Sequence, residues 1–317
     1  MIIHIIKGDI MKKSIITLFA LAALSLSLTA CGSGAAADKE STSAAEANSE
    51  TLEEGAEEKD GEETAADGEK VTVKLGLTGV FNEDIWAPAK EKLAAENIDL
   101  EFVQFANFSL PNQALVSGDI DMNAFQHHAF LKNEIENNGY DITAIGDFYV
   151  VTMAVFSDKV SSLDEIKDGD TIAIPNDATN EGRALKLLEE AGIIKLDPEA
   201  GATPSPEDIT EYIKKVEFTE LDANMIASAL PDVTAGVING NYAVDNGLKA
   251  EDALIQEKNF DDDRYFGCIV VNSKDADNET YKKVVEAFQS DETKKVFEDE
   301  FAGFFLPAWE LDVPEYK

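Results

Sequence analysis

From Val71 to residue 301, short strand-like runs alternate with helical stretches, and this rhythm limits what the chain can become. Residues 71–77, 98–105, 120–125 and 142–145 carry the period-two alternation or short apolar run of a strand. Between them, the stretch through Trp86 and Leu93, the one from Ser109 and the one over 127–137 read as helices, with Pro111 tolerated in a first turn. A second series follows: strand 171–174, helix 180–191, strand 215–219, helix 222–229 and strand 233–239. Repetition of this length predicts parallel sheets covered on both faces. Residues 149–156 (YVVTMAVF) are apolar throughout and long enough to cross between two such sheets. Residues 195–206, rich in Pro and Gly, read as a surface loop. A late strand at 265–271 and amphipathic helices at 281–288 and 292–301 are placed to dock back onto the first sheet. The expected fold class is α/β, in two lobes with a ligand cleft between them. Residues 71–150 plus 248–317 form the first lobe, and residues 151–247 the second.

In open α/β sheets a ligand lies outside the carboxyl ends of the strands. Those ends carry residues 105–108, 125–128, 176–183, 239–242 and 265–267, mostly aromatics and neutral amides with one cation, Arg183. The central stretch is Asn176 to Arg183 (NDATNEGR), which follows the strand-like run TIAIP and precedes a helical pattern. Thr179 or Asn180 is expected near a helix N-cap, where unpaired N–H groups attract anions. Arg183, one turn in, offers a guanidinium fork that matches a carboxylate. Such a lining suits a small zwitterion with an apolar side chain: Arg for the carboxylate, amide oxygens for the amine, aromatic walls for the rest.

The first 70 residues are of a different kind. Met11 to Cys31 (MKKSIITLFALAALSLSLTAC) has the basic start, apolar centre and small-residue end of a secretory signal. Residues 1–30 therefore read as leader, with Met11 the true start. Leu28, Thr29, Ala30 and Cys31 resemble the bacterial lipobox, whose cysteine is diacylated and becomes the mature N-terminus. From Gly32 to Lys70 thirteen acidic residues stand against three lysines, with no recurring apolar position. That stretch cannot offset its ordering entropy and reads as a disordered tether. It also accounts for much of the net charge of −37, which argues against nucleic acid as a partner.

Several strings then resemble the NlpA/MetQ family of lipoproteins, the substrate-binding proteins of methionine ABC importers. They are residues 118–127 (GDIDMNAFQH), 176–183 (NDATNEGR) and 237–243 (VINGNYA), with 105–112 (FANFSLPN) and 162–169 (SLDEIKDG) in support. The likeness runs from about Val71 to the C-terminus. It implies a two-lobed, type II periplasmic-binding-protein-like fold. It also implies a lipid-anchored receptor on the extracytoplasmic face of the cell membrane, expected to be a monomer. Such a receptor delivers L-methionine or a similar small amino acid to a membrane permease, without cofactor or metal. Carried across by position, Arg183 and Asn180 would hold the ligand's carboxylate end. Phe108, His127 and Phe130 would line its side-chain pocket. Asn239 and Tyr242 would approach from the second lobe, and Asn176 belongs to the same set. The chain departs from the family at Phe108 and Phe130, where tyrosine is frequent, and at 151–153, where a Tyr-Pro-apolar pattern is usual. It departs again at Gly267, where an asparagine typically contacts the ligand's backbone atoms. Glycine supplies no hydrogen bond there and is expected to leave space.

Other readings are weaker. His127 and His128 are adjacent on one helix and point apart, which disfavours a shared metal. Cys268, inside an apolar strand, reads as a buried core thiol. No G-x-S-x-G, P-loop or dinucleotide fingerprint occurs, and residues 261–263 lack the spacing of a calcium loop. A receptor of the same class for a methionine derivative, another small apolar amino acid or a dipeptide is the alternative. An adhesin with a decayed cleft is a more distant one. An enzyme is not expected.

Overall fold

The computed structural model describes residues 70–301 and 303–316. The leader, Cys31 and the acidic tether lie outside the described residues. Among the described residues no helix is long and apolar enough to cross a membrane.

The chain begins with β1 (Val71–Thr78), α1 (Asn82–Ala94), β2 (Ile98–Phe105), α2 (Pro111–Ser117), β3 (Met122–His127) and α3 (His128–Asn138), then the long strand β4 (Ile142–Val151). Thr152 alone separates β4 from β5 (Met153–Phe156). Next come β6 (Thr171–Pro175), α4 (Ala178–Glu190), β7 (Ile194–Leu196), β8 (Ile209–Tyr212), β9 (Glu217–Leu221), α5 (Ile226–Ala229), β10 (Ala235–Asn239) and α6 (Gly240–Asp245). The return consists of β11 (Ile255–Gln256), β12 (Phe266–Asn272), α7 (Glu279–Phe288), α8 (Asp291–Glu300) and β13 (Phe305–Pro307).

Two large sheets result, in the orders β13-β4-β12-β3-β1-β2 and β11-β5-β10-β6-β9, beside a two-stranded sheet of β7 and β8. Each has the expected parallel centre: β1 with β2 and β3, and β6 with β9 and β10. Neither is parallel throughout. β12 runs antiparallel to both β3 and β4, β13 to β4, β5 to β10 and β11 to β5. The antiparallel strands are the crossovers and returns: a chain that leaves one sheet, builds another and comes back re-enters from the opposite end. β11 belongs to the second sheet, so the return crossing falls after Gln256 and not at residue 248. The stretch 195–206 is not loop throughout, because Leu196 ends a strand paired with β8.

The docking of the last helices on the first sheet has a plain physical cause. α1 buries Ile85, Trp86, Ala89 and Leu93 on one face. Trp86 meets Phe288 of α7 with ring centroids 4.1 Å apart, and Phe297 of α8 closes the cluster against Tyr149. Cys268 is fully buried in β12, as its apolar neighbours imply.

Candidate functional site

The carboxyl end of β3, the β6–α4 turn, the end of β10 and the start of β12 converge on one pocket between the sheets. About 430 Å³ separates its lining atoms, mouth included. Its polar lining includes His127, Asn180, Arg183 and Asn239, and its aromatic walls include Phe108, Phe125, Phe130 and Phe148.

The turn is fixed by Asp177, whose carboxylate accepts the backbone N–H of Asn180 at 3.0 Å and caps α4. The cap is therefore Asp177, two residues before Thr179 and three before Asn180, which lie near it as expected. Asp177 also accepts both contacts of the Asn180 side-chain amide, at 2.9 and 3.0 Å. Burial raises the Asp177 carboxyl above its ordinary range. Arg183 stands three positions after Asn180, so both side chains emerge on one helix face. Gly182 between them serves packing: a Cβ there would lie 2.8 Å from the Thr203 backbone.

Arg183 is 1 % exposed and is held from three sides. Its Nε and Nη2 donate to Glu257 at 2.8 and 2.6 Å, Nη2 also donates to the Val151 carbonyl at 2.8 Å, and the guanidinium lies 4.4 Å from the Tyr265 ring centroid. Glu257 also accepts the Met153 N–H at 2.7 Å. The fork expected for a ligand thus grips Glu257. Nη1 is left without a hydrogen bond among the described residues, on a side chain that lines the pocket.

Asn239 donates through Nδ2 to Asn180 Oδ1 at 2.8 Å, while its own Oδ1 is buried with no partner among the described residues. His127 accepts the Phe130 N–H on Nδ1 at 3.1 Å, which places the proton on Nε2, 3.4 Å from Asn180 Oδ1. Burial, with the nearby Arg183 charge adding to it, pushes His127 down to about 3. The imidazole is therefore neutral at physiological pH. His128 points elsewhere and pairs with Asp147 at 2.7 Å. Phe108, Phe125 and Phe130 form a triangle with centroids 6.0, 6.1 and 5.9 Å apart.

The neutral His127 gives a pH dependence of known sign. Its pKa is about 6.5 in the unfolded chain and about 3 in the fold. Between these values the unfolded chain binds the extra proton, so stability falls as pH drops, by about 1.4 kcal/mol per unit. Glu181, pushed up to about 7 chiefly by burial, works in the opposite direction. The quantity to measure is therefore the difference in urea-unfolding free energy between the protein and His127→Gln from pH 6.5 to 4. The protein should lose stability faster than the variant. Equal slopes would refute the neutral, buried assignment.

Six of the expected residues thus line one pocket: Arg183, Asn180, Asn239, Phe108, His127 and Phe130. Tyr242 and Asn176 do not. Tyr242 lies tilted against Phe108 with centroids 5.0 Å apart and lines a neighbouring chamber, as does Asn176, whose amide donates to Asp222 at 2.7 Å. The space expected at Gly267 is also absent. A Cβ there would lie 2.5 and 2.6 Å from the Phe148 ring and 2.8 Å from the Tyr149 carbonyl oxygen. Phe148 and Glu257 were not singled out from sequence. Glu257 is one acid among many, 74 residues from its partner, and carries no local signal.

Comparison with known proteins adds relatives to this geometry. A family model described as NlpA lipoprotein matches residues 73–309. The D-methionine-binding lipoprotein MetQ of Salmonella typhimurium is 40% identical over 243 residues, 76% of this chain and 88% of that protein. Among solved structures, a nutrient binding protein from Burkholderia cenocepacia bound to methionine superposes with a TM-score of 0.70 at 36% identity, over 74% of this chain and 99% of that one. The substrate binding protein of a methionine transporter from Streptococcus pneumoniae does so with a TM-score of 0.71 at 35% identity, over 74% and 95%.

Proposed function

Because the chain belongs to the NlpA lipoprotein family, we propose that it is the extracytoplasmic receptor of an ABC importer, binding methionine between its two sheets and delivering it to a membrane permease. One observation carries this reading. The pocket offers a donor without a partner, Arg183 Nη1, and a buried acceptor without a partner, Asn239 Oδ1. A carboxylate answers the first and an ammonium the second. Glu257 neutralises Arg183 and His127 is uncharged, so the lining favours a ligand of zero net charge. An amino acid meets all three requirements. The Phe108–Phe125–Phe130 triangle supplies aromatic contact for a thioether, on the order of 1 kcal/mol. Cys31 would carry the lipid and the acidic tether would hold the receptor off the membrane surface as a monomer. Closure would hinge at Thr152 and at the return through residues 257–265. Such a receptor performs no chemistry on its ligand.

The test is the melting temperature of the purified protein with L-methionine, D-methionine, alanine and glutamate, since one relative is named for the D form. A ligand at 1,000 times its Kd adds about 4 kcal/mol, which raises the midpoint by several degrees for at least one methionine enantiomer. No shift with either enantiomer would overturn the assignment.

A further inference from the structure

Two of the strings that stand out in the sequence, residues 105–112 and 118–127, meet through three amide side chains. Asn112 is in the first turn of α2, and Asn123 and Gln126 are on β3. All three are buried, at 0, 0 and 3 % exposed. Asn112 donates through Nδ2 to Gln126 Oε1 at 2.9 Å. Its own Oδ1 accepts from Asn123 Nδ2 at 3.0 Å and from Gln126 Nε2 at 2.7 Å. Gln126 Nε2 also donates to Asn123 Oδ1 at 3.0 Å, which closes the ring. No side-chain oxygen or nitrogen of the three is left buried without a partner.

Burying three amides carries a cost that only directional bonding offsets. A closed and satisfied network of this kind holds its members in one arrangement, where apolar side chains can slide. What it holds is a wall of the main pocket. Gln126 lines that pocket, but both of its N–H groups are committed to Asn112 and Asn123, so it presents a fixed surface. Asn112 follows the turn that carries Phe108, and the bonds made by Asn107, Ser109 and Gln113 stay within that turn and the start of α2. Phe125 and His127 flank Gln126 on β3. The amides therefore tie the segment bearing one ring of the Phe108–Phe125–Phe130 triangle to the strand bearing another. Neither Asn112 nor Asn123 is among the described residues that line the pocket, so both act on it through others.

We infer that Asn112, Asn123 and Gln126 are positioning residues for the side-chain end of the pocket: they fix Phe108 against Phe125, and with it the length of ligand side chain that the pocket accepts. The inference rests on the receptor reading for the class of ligand and adds where its selectivity originates. Arg183 and Asn239 are held separately, by Glu257 and Asn180, so the end that would meet the carboxylate and ammonium is outside the network's reach.

The experiment measures the affinities of S-methylcysteine, methionine and ethionine, a thioether series that grows by one methylene at a time, in both enantiomeric forms. Calorimetry is run on the parent protein, Asn112→Leu and Asn123→Leu. The parent should favour methionine over both neighbours by at least about tenfold, the usual worth of one methylene in a fitted pocket. Asn112→Leu removes three of the four bonds, and the preference should fall to about threefold or less; Asn123→Leu removes two and should fall in between. Thermal melting of the same samples without ligand reports the fold. A network that serves the fold alone would lower the melting temperature and leave the preference unchanged, and that result would overturn the inference. So would a parent protein that binds the three compounds equally. If Asn112→Leu does not fold, Asn123→Leu decides the matter by the same criterion. A parent protein that binds none of the compounds in either form would overturn the receptor reading and the inference together, whereas an unchanged preference in variants that bind methionine would overturn the inference alone.

Discussion

Arg183→Met is expected to cost about 3–5 kcal/mol of stability and to remove measurable methionine binding. The first effect follows from Glu257, which is 13% exposed and would keep its charge without its partner; breaking a buried pair from one side is costly because it strands the other ion. The second follows from losing the one cation among the described residues that line the pocket. Truncating one member of a buried charged hydrogen bond typically weakens binding by about 2–5 kcal/mol or more. The two effects separate in Arg183→Met/Glu257→Leu. With both charges replaced by apolar groups, stability should largely return, short of about 1 kcal/mol for the Met153 N–H that loses its acceptor. Binding should not return. Chemical denaturation and calorimetry on the same samples check both. A double variant that recovers methionine binding would show that Arg183 holds only the fold.

Phe148→Ala should cost about 3–5 kcal/mol, as expected for a large core ring with 1 % exposure. Gly267→Asn should cost about 1–3 kcal/mol, because its Cβ would overlap the same ring. The pair should cost clearly less than the sum, since each change relieves the other's defect. Part of the strain remains, because the Tyr149 carbonyl oxygen does not move with the ring. The double variant also places an amide at the edge of the pocket and should bind methionine at least as tightly as the parent protein. Strictly additive unfolding free energies would mean that Phe148 does not occupy the room a side chain at 267 needs.

How far the sequence carried the reading depends on the range of the forces involved. The strand–helix rhythm and the apolar faces of α1, α7 and α8 are local patterns and were legible. Strand direction was not, because the antiparallel pairing of β12 with β3 and β4 depends on how the chain returns and not on any residue in β12. The start of α4 was ambiguous for a chemical reason. Asp177, Thr179 and Asn180 can all cap a helix, and only the observed bond from the Asn180 N–H to Asp177 selects one. At the site, Arg183, Asn180, His127 and Asn239 were legible as residues at strand ends. What they bond to was not. Asn180 is spent on Asp177 and Asn239, and Arg183 on Glu257, with Arg183 Nη1 and Asn239 Oδ1 among the groups left open. Those open valences, and not the Arg183 fork, are what a ligand would meet.

The measurement that bears most directly on this account is native mass spectrometry of the purified protein, gently sprayed and then denatured so that any bound molecule is released and identified. The account predicts one released molecule per chain, a zwitterion with the mass of methionine, absent from Arg183→Met/Glu257→Leu. A protein that emerges empty and gains no mass on incubation with either methionine enantiomer, or that releases a molecule carrying net charge, would contradict it.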